Sequence, residues 1–267
     1  MPENTIIFCK CQTRSDTPEW AETAAILGQT TGIHVVSVTD LCGCSALDPV
    51  KLSTLIGNAG KALVVACHPR PVTALLQRAG ITGMETIRIF DLLEQEPIGL
   101  SQILNEYRNP GQVNSSGEEF VAGQSWPAWY PLIDEKRCTA CGQCAEFCLF
   151  GVYRKSGDRV TVVNPKACKN NCPACARICP QVAIIFPKYV YGGAIGGSES
   201  IDEAFEIQRL QKDTDMILGE DVYTALEQRK LKRRMIIRDD VLKQAISEQE
   251  EALRIEKNTI ISDKICP

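Results

Sequence analysis

Fourteen cysteines stand against two histidines in a chain of 267 residues, and their spacing is regular. Eight lie in two runs, Cys138-x2-Cys141-x2-Cys144-x3-Cys148 and Cys168-x3-Cys172-x2-Cys175-x3-Cys179-Pro180. Thiols at three-residue intervals let a tight loop wrap one corner of an iron–sulfur cube while its backbone N–H groups point at the sulfurs, and a fourth thiolate then comes from elsewhere. A zinc site needs only four ligands, usually from two Cys-x2-Cys knuckles, and would leave the interleaved cysteines unused. Five more thiols follow three short apolar runs, as Cys9-Lys10-Cys11, Cys42-Gly43-Cys44 and Cys67-His68-Pro69-Arg70.

The frame that must hold these five is legible upstream of residue 108. Short β-branched runs at 6–8, 35–38, 63–66 and 87–90 alternate with helix-like stretches at 18–28, 49–58, 71–79 and 98–107. That alternation predicts a small doubly wound parallel-sheet α/β domain with right-handed crossovers. The strands lack a period of two, as expected where helices cover both faces. Thr17-Pro18 and Asp48-Pro49 read as helix starts. The carboxyl ends of parallel strands share one edge, where ligands bind, so the five thiols are expected on one rim. A single buried cysteine is commonly a small hydrophobe, but five at equivalent ends of three strands point to metal or cluster binding.

Residues 108–133 open rich in Asn, Pro, Gly and Ser and read as a linker. They end in Trp126-Pro127-Ala128-Trp129-Tyr130-Pro131, which packs on the next domain or docks a partner. Beyond the cysteine-dense segment 134–190 comes a third region, 191–267. It starts with a Gly-rich stretch, Gly192-Gly193-Ala194-Ile195-Gly196-Gly197, read as a flexible joint. Helix-like segments follow at 201–217, 221–236 and 240–257, the last with an apolar stripe through Val241/Leu242, Ala245/Ile246 and Ala252/Leu253. This helical extension caps the cysteine domain or docks a partner, with the basic run 229–234 at hand.

Composition narrows the function. The formal net charge is −4, so no global positive field argues for nucleic acid. No apolar run reaches the ~20 residues of a membrane span. The opening Met-Pro-Glu-Asn carries neither a basic nor an apolar signal region, so a reducing, cytoplasmic setting is expected, where clustered cysteines serve as metal ligands or redox groups. No Ser/His/Asp set, phosphate loop or carboxylate pair is legible, and no strand is followed by a dinucleotide-binding G-x-G-x-x-G, so neither a flavin nor a nicotinamide site is expected.

Residues 134–190 resemble the two-cluster [4Fe-4S] ferredoxins, in which the fourth cysteine of each run ligates the other cluster. The resemblance implies a dicluster α+β ferredoxin domain, with Cys138, Cys141, Cys144 and Cys179 on cluster one and Cys148, Cys168, Cys172 and Cys175 on cluster two. Leu149 stands where that family usually has Pro, and Cys168 is followed by three residues rather than two. Ile184 and Ile185 match the family's closing strand. Nine basic against four acidic residues in this segment predict potentials less negative than those of acidic ferredoxins.

Residues 1–107 resemble the N-terminal domain of the heterodisulfide reductase A subunit, on Cys9-x-Cys11, Cys44-Ser45 and Ala66-Cys67-His68-Pro69-Arg70. This resemblance implies a third [4Fe-4S] cluster on Cys9, Cys11, Cys44 and Cys67, with Cys42 a spare or a substitute ligand. The expected function is that of an iron–sulfur electron-transfer protein, a non-catalytic subunit of a larger anaerobic reductase complex. Its expected partners are redox proteins, a flavoprotein or heterodisulfide reductase-like subunits. The alternatives are a reductase acting through the N-terminal cluster and a free Cys42, and an iron–sulfur scaffold.

Overall fold

A computed structural model of the chain describes residues 4–112, 116–121 and 126–218, together with Thr224, Glu227, Gln228 and Leu231. The segments expected to be helical over 221–236 and 240–257 lie outside these, apart from those four residues. The described residues up to Ile217 form one compact unit.

Its first half is an all-parallel five-stranded sheet ordered β4-β3-β1-β2-β5. The elements run β1 (Thr5–Cys9), α1 (Pro18–Gln29), β2 (His34–Val38), α2 (Leu41–Leu47), α3 (Pro49–Gly57), β3 (Ala62–Ala66), α4 (Pro69–Arg78), β4 (Ile87–Asp91), α5 (Ile98–Leu104) and β5 (Ser116–Phe120). Strand direction alternates side chains between two cores. Ile6, Phe8, Leu63 and Val65 pack with Trp20, Leu27 and Leu100 of α1 and α5. Ile7, Cys9, Val64 and Ala66 face α2–α4 and the aromatic segment at Trp129–Tyr130. Both faces are covered, which is why β1 and β3 are buried throughout.

Three elements depart from the sequence expectation. Residues 116–120, expected within a linker, form β5 and pair in parallel with β2, from His34↔Ser116 to Val38↔Phe120. The sequence Ser-Gly-Glu-Glu-Phe has little strand propensity, and its edge position lets pairing with β2 decide. The residues after β2 form a helix, α2, outside the helix-like stretches read from the sequence. The glycine stretch is packed rather than a free joint: Gly193–Gly196 form α8, with Ala194 and Ile195 buried. A Cβ on Gly197, at φ +106°, would lie 2.6 Å from Pro71 Cδ. Of the expected caps, Asp48 accepts from Lys51 N at 3.2 Å, whereas Thr17 makes no such bond.

The second half holds β6 (Leu132–Ile133), α6 (Gln143–Phe147), the hairpin β7 (Tyr153–Ser156) and β8 (Arg159–Val162), α7 (Ala174–Arg177), β9 (Ile184–Ile185), α8 and α9 (Glu203–Leu218). Strand β6 pairs antiparallel with β9. Trp129 stacks on Phe186 at 5.0 Å, and Tyr130 donates to the Cys42 carbonyl at 2.8 Å, so the aromatic segment joins the two halves. Arg209 of α9 holds Glu206 and Asp213 and reaches Arg177 O, while Glu203 pairs with Arg137. The described part of the extension thus caps the cysteine segment.

Arg70 ties the two halves through four hydrogen bonds. Its guanidinium donates to Asp134 Oδ2 at 3.0 Å and to the carbonyls of Ala194, Ser198 and Val182 at 3.3, 2.9 and 3.2 Å. Its side chain is 10% exposed and that of Asp134 13%. Removing one partner of a buried pair strands the other charge. Arg70→Met should therefore lower unfolding stability by about 3 kcal/mol, read from urea titration under anaerobic conditions; a loss below about 1 kcal/mol would show the pair to be dispensable.

Candidate metal centres

The sheet order places the topological switch between β1 and β3, which leave in opposite directions toward their next neighbours. Ligands of open α/β sheets bind there, beyond the strand carboxyl ends. Cys9 ends β1, Cys11 follows at φ +56°, and Cys67 follows β3 immediately before α4. Cys42 and Cys44 both lie in α2, two residues apart and so about 200° around the helix, on nearly opposite sides.

That separation decides which of them joins the rim. Cys42 is acted on by the charges of Asp40, Lys188, Cys67 and Cys9. Cys9 in turn feels Cys11, Asp40 and Cys67, and Cys67 feels Cys11, Asp91 and Arg14. The charges acting most on Cys44 are those of Asp40, Asp48 and Lys51. Its side chain is fully buried, and Ser45 beside it donates to Leu75 O of α4 at 2.9 Å. Cys9, Cys11, Cys42 and Cys67 are thus linked through one another's charge, whereas Cys44 is acted on chiefly by Asp40, Asp48 and Lys51 and is buried beside α4. Spacing alone does not place these two thiols, because Cys-x-Cys projects to one side in a strand and to opposite sides in a helix.

In the second half, Cys138 and Cys141 lie on the loop before α6, Cys144 in α6 and Cys148 at its end. Cys168 ends a 3-10 turn, Cys172 lies on the next loop, Cys175 is in α7 and Cys179 just beyond it. Cys144 feels Cys179, Cys141 and Cys138, and Cys179 feels Cys141 and Cys138. Cys168 feels Cys148 and Cys172, while Cys175 feels Cys148, Cys168 and then Cys144. One cavity is lined by Cys138, Cys141, Cys144 and Cys179, with Ile133 and Ile184 as apolar walls.

The surroundings suit sulfur. Leu41 N, Ala140 N and Ala183 N each donate to a cysteine sulfur, Cys9, Cys138 and Cys179 respectively, at 3.4 Å. Tyr153, buried, donates its hydroxyl to Cys175 Sγ at 3.1 Å. Among the described non-glycine residues, five have positive φ, and Cys11, Ala140, Asn171 and Val182 among them sit within three residues of a clustered thiol. Left-handed backbone of this kind turns N–H groups toward an anion, and such strain collects at functional sites. Burial pushes the Cys67, Cys144 and Cys168 thiols up to about 12, with neighbouring thiols adding to the effect. These thiols are protonated near neutral pH, and metal binding displaces their protons.

Among the described residues no three His, Cys, Asp or Glu side chains come close enough to hold a single metal ion. A tetrahedral zinc with 2.3 Å bonds needs its sulfurs about 3.8 Å apart. A four-iron cluster instead takes each thiolate on a separate iron at a separate corner. The all-thiol donor sets, lined with N–H donors, fit iron–sulfur clusters.

Residues 131–151 match the 4Fe-4S binding domain family. Over 71 residues the chain is 42% identical to an uncharacterised ferredoxin of Methanocaldococcus jannaschii, covering 26% of this chain and 48% of that protein. The chain thus spans about half the length of this relative. No solved structure matches the chain. The 4Fe-4S binding domain carries Cys138, Cys141, Cys144 and Cys148. No helix among the described residues is long and apolar enough to cross a membrane.

Serine in place of Cys141 should lower the iron and acid-labile sulfide bound by the anaerobically purified chain, whereas Cys44→Ser should leave both unchanged. Loss of iron in the Cys44 variant, with its fold intact by circular dichroism, would return that residue to the ligands.

Proposed function

We propose that the chain is an iron–sulfur electron-transfer protein holding three [4Fe-4S] clusters, one on the α/β rim and two in the ferredoxin-like segment. The observation that carries this reading is the sorting of twelve thiols into three neighbourhoods: Cys9, Cys11, Cys42 and Cys67; Cys138, Cys141, Cys144 and Cys179; and Cys148, Cys168, Cys172 and Cys175. Each would supply one ligand set, with Cys42 in the place that family resemblance gave to Cys44. When bound, such clusters accept and release single electrons.

The chain's own residues orient the sulfurs, keep water from them and set the charge around them. Ile133 and Ile184 wall one site. Lys188 from the ferredoxin-like segment reaches the α/β rim, pairing with Asp40 at 2.7 Å with both side chains at most 5% exposed. Burial opposes the Lys188 charge, but Cys42, Asp40 and Cys11 together outweigh it and raise its pKa. A cation fixed beside Cys42 favours added negative charge at the rim. Arg70 joins the helix just after Cys67 to the turn just after Cys179, so the rim and cluster-one sites share one rigid support.

This arrangement favours a relay over an enzyme. A substrate-reducing site requires a free thiol beside the rim set, and the thiol left outside it, Cys44, is buried against α4. The absence of a legible acid–base set agrees with a subunit that passes electrons to a catalytic partner, a flavoprotein or a heterodisulfide reductase-like protein. A reductase complex working without oxygen in the cytoplasm is the setting this reading implies.

Iron analysis of the full chain tests the count. About twelve irons are expected, falling to about eight in a Cys9→Ala/Cys11→Ala double variant, with low-temperature EPR after reduction showing the matching loss of one signal. Eight irons in both would reduce the chain to a dicluster carrier with a metal-free α/β domain. A second expectation concerns tuning. Tyr153→Phe removes the O–H donor to Cys175, so one potential should fall by roughly 40 mV, the one-electron equivalent of about 1 kcal/mol. A redox titration showing all potentials unmoved would deny the tyrosine that role.

A further inference from the structure

The two ends of the ferredoxin-like segment differ in charge and polarity. At the cluster-one end, Asp134 and Glu203 hold Arg70 and Arg137. At the cluster-two end, Cys148 is followed by Leu149 and Phe150, which are 36% and 47% exposed. Backbone bonds from Val163 N and Asn164 N to Val152 O bring the strand leading to Cys168 alongside, with Val163 42% exposed. Three large apolar side chains are therefore open to solvent on the two segments that carry Cys148 and Cys168, thiols that feel each other.

On the Cys168 side the rim of this patch is basic, and the carboxylate nearest Cys148 in sequence is the exposed Glu146. From Arg159 to Ser198 the sequence contains no acidic residue and five basic ones. Three of the five are engaged within the fold: Arg159 with Glu135, Lys188 with Asp40, and Arg177 with Tyr189. Lys166 and Lys169, both exposed, flank Cys168 and have no carboxylate partner among the described residues. An apolar centre with a charged rim is the composition of a transient docking site, and a one-sign rim steers a partner of opposite charge.

We infer that the face over Cys148 and Cys168 docks an acidic one-electron redox protein, with Leu149, Phe150 and Val163 as the dry centre and Lys166 and Lys169 as the steering rim. This rests on the cluster assignment proposed above. One electron leaves the reduced carrier, which is oxidised by one electron, and reduces the chain by one; the reverse holds when the chain is the donor. No bond forms or breaks.

Stopped-flow exchange with an acidic flavodoxin, followed by flavin absorbance on the anaerobic full-length chain, tests the assignment. Exchange should slow about tenfold or more between low and high salt. In the Lys166→Glu/Lys169→Glu variant it should be at least tenfold slower at low salt and nearly independent of salt. Phe150→Ser should slow exchange at every salt concentration. A neutral quinone reads driving force without docking, so its rate should change far less in the charge variant. Equal rates and equal salt dependence in parent and variant, both carrying full iron, would overturn the docking face alone. Faster exchange with basic cytochrome c than with the flavodoxin at low salt would overturn its polarity. A parent chain without iron would overturn both this inference and the function on which it rests.

Discussion

Thiolates that must share a small space repel one another, and burial makes that repulsion worse. In this chain the pKa values of Cys9, Cys42, Cys144 and Cys175 are raised first by burial, and the charges of neighbouring thiols add to the effect. Much of the fold around them supplies partial or full positive charge from directions water cannot reach. Backbone N–H groups turned by left-handed residues, the Tyr153 hydroxyl and the buried Lys188 ammonium all meet sulfur or its near surroundings. The excess of basic residues in the ferredoxin-like segment is a longer-range form of the same compensation.

The two halves are not independent modules joined by a tether. Arg70 and Lys188 cross in opposite directions, one from α4 into the ferredoxin-like segment and the other from that segment to Asp40 at the start of α2. Between them lies a continuous apolar core that includes Val36, Leu75, Tyr130 and Ile185. Such interlocking fixes the rim thiols relative to the cavity lined by Cys138, Cys141, Cys144 and Cys179.

The sequence made the cysteine-rich motif and strands β1–β4 legible because both rest on local patterns, ligand spacing and runs of β-branched residues. It concealed what depends on distant pairing. Ser116–Phe120 carries polar residues and a glycine yet becomes a strand through β2. Gly192–Gly197 reads as a hinge because its packing partners, Pro71 and Ile185, lie elsewhere in the chain. The different surroundings of Cys42 and Cys44 were hidden for a different reason. They turn on whether the chain after β2 is helical, and Leu-Cys-Gly-Cys-Ser-Ala-Leu is too short and too glycine-broken to announce a helix.

The pairing of β5 with β2 and the reach of Lys188 to Asp40 also set an order of assembly. Thr39 and Phe120 bond across 81 positions, and Asp40 and Lys188 across 148. A ribosome delivers the rim thiols within the first 67 residues, long before the strand and the lysine that complete their surroundings. Contacts this distant in sequence form late. The earliest cysteines to be made are thus among the last to be enclosed, and the nascent chain passes through a stage in which its rim thiols stand open to solvent.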